Sequence, residues 1–186
     1  MSKARNIADL LDSNGDVQAS SLDSQPQLGR RNLIINGAMR VSQRGTTFTQ
    51  TNNSYSLDRW QIQNTHDVNQ QVSQSTDVPT DKGFTSSLKW EVYNSVKTGS
   101  TEIRQKIEDY SVASGQTVTL SFWAKSTTPS IHAVRISDNS GNVASISPDS
   151  TSWKYYSVSG NIISGNTMLH VYVAAAGTAG VVGDAL

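Results

Sequence analysis

Two spacings of apolar residues divide the chain. Near the N-terminus Ile7, Leu10 and Leu11 recur at helical spacing, Ser2 is placed to cap, and Asn14-Gly15 is placed to stop. This predicts a short helix over residues 4–11. A helix of that length is marginal in isolation, so its apolar stripe needs a partner: its own domain, a sister chain or another protein. Residues 18–30 are rich in Ser and Gln and contain Pro26 and Gly29, which reads as an extended linker. From residue 33 the period changes to two. Val118, Leu120, Phe122 and Ala124 alternate with Thr117, Thr119, Ser121, Trp123 and Lys125. Leu88, Trp90 and Val92 alternate with Lys89, Glu91 and Tyr93, and Leu169, Val171 and Val173 with Met168, His170 and Tyr172. Ile103 and Ile107 flank Arg104 and Lys106 in the same manner. Such alternation marks strands with one buried and one wet face. The breaks carry turn chemistry, as in Thr98-Gly99-Ser100, Asn139-Ser140-Gly141-Asn142 and Ser164-Gly165-Asn166. Many short strands at this spacing predict an all-β sandwich preceded by a short helix and an extended arm.

Composition sharpens this reading. Only 35% of residues are apolar, and Ser, Thr, Asn and Gln outnumber the charged residues more than twofold. That suits thin sheets with polar turns, or a fold that completes its core against partner subunits. Lys+Arg and Asp+Glu balance at 15 each, so the chain as a whole carries no electrostatic footprint for nucleic acid or an anionic membrane. It has no cysteine, which excludes disulfides and thiolate metal sites. No apolar run is long enough to span a bilayer, and the N-terminus lacks a secretory apolar stretch. The expectation is synthesis in a cytoplasm without export by the usual route.

Candidate chemistry is of the binding kind. Trp123 falls on the polar face of its strand when Phe122 faces the core, and Tyr93 and Tyr172 fall on polar faces by the same parity. Exposed rings on a sheet suit the C–H faces of sugars. Rings of this kind also occur where a linker or another subunit covers them. Trp60, Trp90 and Trp153 read as structural, and Asp58-Arg59 as an internal ion pair or a solvated one. Asp12, Asn14, Asp16 and Asp23 occupy calcium-loop positions, but Val17 stands where the sharp turn needs Gly, which favours a plain turn. His66, His132 and His170 lie far apart without a carboxylate at metal spacing. The chain contains no nucleophile elbow, no zinc-protease helix motif and no phosphate loop, and its carboxylates are dispersed. No enzyme, metal or cofactor is expected.

Several runs, in order, carry a resemblance. Asn32-Leu33-Ile34-Ile35-Asn36-Gly37-Ala38-Met39 resembles the first strand and turn of phage tail and tail-fibre modules with a carbohydrate-binding-module-like jelly roll. Tyr55 with Asp58-Arg59-Trp60 resembles their next signature. Val118-Thr119-Leu120-Ser121-Phe122-Trp123-Ala124-Lys125 resembles their central strand, and Ser152-Trp153-Lys154-Tyr155-Tyr156-Ser157 the Trp-led strand after a long hairpin. Residues 2–17 look like the N-terminal head of marine phage structural proteins. The resemblance implies a jelly-roll sandwich over residues 31–186 and a virion-docking arm over residues 1–30, with Ile7, Leu10 and Leu11 against tail adaptor or nozzle proteins. The closing strand of such modules would begin at Gly183-Asp184-Ala185-Leu186, so the sandwich is expected to lack its final strand. The implied protein is a homotrimeric tail fibre of the virion, made in the host cytoplasm and serving attachment. Trp123, Tyr93 and Tyr172 are its candidate contacts with host-surface polysaccharide. The alternative is a glycan-binding module leading a polysaccharide depolymerase whose catalytic part lies beyond residue 186.

Overall fold

The alternating segments form strands, as their period requires. A computed structural model describes residues 32–49, 53–64, 70–92, 100–127, 132–176 and 181–185. In chain order the strands are β1 (Thr47–Thr49), β2 (Ser54–Tyr55), β3 (Gln61–Asn64), β4 (Gln70–Ser75), β5 (Ser87–Val92), β6 (Ser100–Lys106), β7 (Thr117–Ser126), β8 (His132–Asp138), β9 (Gly141–Ile146), β10 (Lys154–Asn161), β11 (Leu169–Ala176) and β12 (Val181–Ala185). They build two six-stranded antiparallel sheets, ordered β1-β4-β5-β12-β7-β10 and β2-β3-β6-β11-β8-β9. From β5 to β8, and again from β9 to β12, each connection passes from one sheet to the other, which is the winding of a jelly roll. The sandwich lies within Ile34–Leu186. The predicted helix over residues 4–11, with Ile7, Leu10 and Leu11, and the acidic loop from Asp12 to Asp23 lie outside the described residues.

Parity holds in the core. Leu88 and Trp90, Leu120, Phe122 and Ala124, Ile103, and Leu169, Val171 and Val173 are all buried. Trp60 is also fully buried, and its indole N–H donates to the Asn36 carbonyl at 3.3 Å. The two layers share a polar bridge. Gln70 on β4 accepts from Trp90 Nε1 at 2.8 Å and from Thr101 Oγ1 on β6 at 2.9 Å. In this dry interior such bonds are stronger than in water, and losing one partner is correspondingly costly.

Two expectations are corrected. Residues 32–39 form no strand: residues 35–38 make a turn, with Asn36 and Met39 at positive φ. Instead of a strand partner, the Gln105 side chain pairs both ways with Ile35, donating to its carbonyl at 2.8 Å and accepting from its amide at 2.7 Å. Asn36 completes the turn by accepting from the Val41 amide and donating to the Val41 and Asp58 carbonyls. Asp58 and Arg59 do not pair with each other. Asp58 accepts from the Gln43 amide, and Arg59 reaches Glu108 at 2.8 Å. At the C-terminal side β12 pairs with β5 on one side and β7 on the other.

Where the sheets meet at their edges, β10 needs a glycine. A Cβ at Gly160 would stand 2.6 Å from Val143 Cγ1 and 3.0 Å from Ala144 Cβ, both on β9. The β8–β9 hairpin is tied by Asp138, which is fully buried and accepts from the Ser140 hydroxyl and amide and from the Ile163 amide. Burial works against its charge, but these donors prevail and hold its carboxyl below the usual range.

Candidate functional site

The outer face of β7 and β10 is written directly in their register. Thr117 faces Asn161, Thr119 faces Ser159, Ser121 faces Ser157, and Trp123 faces Tyr155. The first three pairs hydrogen-bond to each other at 2.7, 2.8 and 3.2 Å. The polar ladder then gives way to an aromatic step: the Trp123 and Tyr155 rings lie 5.7 Å apart at 60°. Tyr155 is 52% exposed, Trp123 is half-buried, and Lys82 Nζ stands 5.3 Å from the centre of the Trp123 ring.

Beside this step lies a cleft of about 210 Å³, lined by Asp77, Lys89, Lys125, Thr127, Thr151 and Trp153 among others. That is below the roughly 300–1,000 Å³ of enclosed ligand pockets, so it suits part of a ligand that lies along the surface. Asp77 is set by its own neighbourhood: its amide donates to Ser75 Oγ, and its carbonyl accepts from the buried Ser87 hydroxyl. Its carboxylate pairs with Lys125 and accepts from Trp153 Nε1 at 3.0 Å. Lys125 also sits 5.1 Å from the centre of the Trp153 ring. The Lys125 hydrogen bond holds Asp77 below the usual carboxylate range against partial desolvation, aided by Trp153 and by the charges of Lys125 and Lys89. Trp153, read from the sequence as structural, is a half-buried wall of this cleft. It stands two residues before Tyr155, so strand parity carries it to the outer face, while Tyr156 turns inward and stacks on Phe122 at 5.6 Å.

Of the three residues predicted to form a sugar platform, Trp123 lies here. Tyr172 lies on β11, on the outer face of the other sheet, so the two rings cannot share one ligand surface. Tyr172 is half-buried, with the Arg135 guanidinium 5.7 Å from its ring centre. Tyr93 lies outside the described residues. Sequence reasoning missed Tyr155, although its parity with Trp153 was readable. Nothing local signalled Asp77 or Lys82, which reach the face from loops. His170 is half-buried on the Tyr172 face, and burial, then Arg104 and Lys106, lower its pKa. Among the described residues no three ligating side chains converge as a metal site, and no helix is long and apolar enough to cross a membrane.

No protein-family model matches this chain, and no curated protein does. Solved structures match in fold. The enzymatically active domain of bacteriophage CBA120 tailspike protein 4 aligns with 82% of this chain at 23% identity and TM-score 0.50. The chain spans about a fifth of that domain's length (20%). A Stig cyclase, Fisc from Fischerella sp. TAU, aligns with 81% of this chain and 92% of its own at 12% identity and TM-score 0.51. A family 11 carbohydrate-binding module from Clostridium thermocellum, solved with a mixed-linked tetrasaccharide, aligns with 75% of this chain and 93% of its own at 13% identity and TM-score 0.45. What the first two likenesses establish is a shared β-sandwich fold.

Proposed function

We propose that this chain is a tail component of a phage virion whose sandwich holds a host-surface polysaccharide on the β7–β10 face, without catalysing a reaction. The observation that carries this reading is the Trp123–Tyr155 step beside the Asp77–Lys125–Trp153 cleft. A ring face suited to sugar C–H groups stands next to the Asp77 carboxylate and the Lys125 ammonium, groups able to accept from and donate to sugar hydroxyls. The tail assignment is supported by the ordered sequence runs described above and by the likeness to the tailspike domain. In this reading residues 1–30 dock to tail adaptor or nozzle proteins through Ile7, Leu10 and Leu11. Three copies assemble, so that weak single contacts add up by avidity.

A second reading is favoured by one observation: the chain spans only a fifth of the enzymatically active tailspike domain that it resembles in fold. The sandwich would then present glycan to a depolymerase located elsewhere in the polypeptide. In both readings these residues bind. The test is a glycan array probed with the wild-type chain, Trp123→Ala and Tyr155→Ala. Binding should weaken about tenfold in each variant, the size expected for losing one ring contact of about 1.4 kcal/mol. Identical profiles for all three proteins would remove the β7–β10 face from the function.

A further inference from the structure

The outer face of the second sheet carries a different pattern. Its register places Tyr55 on β2, Gln61 on β3, Arg104 on β6, Tyr172 on β11, Arg135 on β8 and Ser145 on β9 side by side. They make one lateral row across all six strands, about 24 Å long at roughly 4.8 Å per strand. Arg44 caps the Tyr55 ring at 5.4 Å from its centre, and Arg135 caps Tyr172. Arg104 donates to Gln61 Oε1 at 3.2 Å. On one side of the row, Gln63, Glu102, Ala174 and Ala133 are aligned in the same way, and on the other, Lys106, His170 and Ser137. The two alanines leave low relief next to Tyr172 and Arg135.

Charge on this face is lopsided. Arg104, Arg135 and Lys106 project from its strands against Glu102 alone among the described strand residues of the face. The chain as a whole is neutral, so the excess is local. Two buried polar atoms here lack partners, Arg135 Nε and Gln63 Oε1. A native fold leaves few such atoms, and each calls for an explanation. One is a donor on a guanidinium whose planar fork matches a carboxylate, and the other is an acceptor suited to a hydroxyl.

We propose that the outer face of the β2-β3-β6-β11-β8-β9 sheet is a second binding site, for a carboxylate-bearing saccharide laid along the row from Tyr55 to Arg135. Arg135 and Arg104 grip the carboxylate, and the Tyr172 and Tyr55 rings border the sugar rings. The site faces away from Trp123 and does not depend on the β7–β10 face. His170 reports on it. Its neighbours across the sheet are Lys106 on β6 and Ser137 on β8, with Arg104 diagonal to it. Burial, then the charges of Arg104 and Lys106, lower its pKa, and a docked carboxylate would raise it.

The test is calorimetric and NMR titration of the full chain with oligogalacturonate, its neutral methyl ester, oligomannuronate and sialyllactose. At least one acidic sugar should bind, and oligogalacturonate, if bound, at least tenfold more tightly than its ester. Binding should weaken with salt. Arg135→Gln and Arg104→Gln should each lose about tenfold to hundredfold, the range for a charged hydrogen bond. The His170 pKa should rise on saturation. If Arg135→Gln fails to fold, Ser145→Glu on exposed β9 places an opposing charge at the end of the row and should also weaken binding. The proposal is overturned if none of the acidic sugars binds, if acid and ester bind equally, if inorganic phosphate competes as well as the sugar acid, or if binding follows Trp123 and ignores Arg135.

Discussion

The two outer faces of this sandwich arise from the same alternation and end with opposite surface chemistry. On β7 and β10 the polar side chains satisfy one another in hydroxyl pairs, and the aromatic step is left open, with Tyr155 half in solvent. On β11 the ring is capped by Arg135, and the polar row keeps unmatched buried atoms. The first face pairs its hydroxyls and opens an aromatic step, whereas the second caps its rings with Arg44 and Arg135 and keeps unmatched buried atoms. Period-two patterning fixes which side chains face outward. What they meet there depends on the strand that lies alongside.

The comparison can be broken at its foundation. Trp90→Ala removes a fully buried ring and one of the two donors to Gln70, leaving that acceptor with Thr101 alone. A loss of about 3–5 kcal/mol is expected in urea unfolding, and both faces should fail together. Retention of one face without the other would mean that the sheets are independent.

Asp138 separates a buried carboxylate from an exposed one. Its pKa is lowered in the folded state. It therefore stabilises the fold above the unfolded carboxylate value of about 3.9, and that contribution is lost as pH falls through the lower folded value. Asp138→Ala should cost about 3 kcal/mol at pH 7, given hydrogen bonds to a charged group, and should flatten the acid limb of stability against pH. Gly160→Ala forces a methyl group against Val143 and Ala144 and should cost about 1–3 kcal/mol. Differential scanning calorimetry would read this as a lower Tm, and an unchanged Tm would show that the β9–β10 edge yields. The smallest effect belongs to Asp77→Asn, on the open face. Its lowered pKa comes first from Lys125 at a largely solvated position, so stability should change by less than about 0.5 kcal/mol, while glycan binding on that face weakens. A large stability loss would make the Asp77 cluster structural and not a binding wall.

Much of the architecture was legible along the chain. Alternation placed Leu88, Trp90, Ile103, Ile107, Leu120, Phe122, Ala124, Leu169, Val171 and Val173 in the core, because a side-chain period of two leaves little choice once one face must be dry. The error at residues 32–39 has a definite cause: an apolar run looks like a strand, but Gln105, distant in sequence, supplies Ile35 with backbone-like partners and removes the need for one. Of the site, Trp123 was legible by parity, and Tyr155 would have been by the same rule. Asp77 and Lys82 were not, since residues in loops carry no period.

What the sequence determined by itself is therefore the inward and outward assignment of each strand residue, the all-β class and the neutral overall charge, all of them local or additive properties. Only the tertiary structure decided which strands are neighbours. Pairing β7 with β10 brought Trp123 to Tyr155, and pairing β11 with both β6 and β8 set Tyr172 between two arginines. Register between strands far apart in sequence is chosen by packing of the whole core, and no window of the chain contains it.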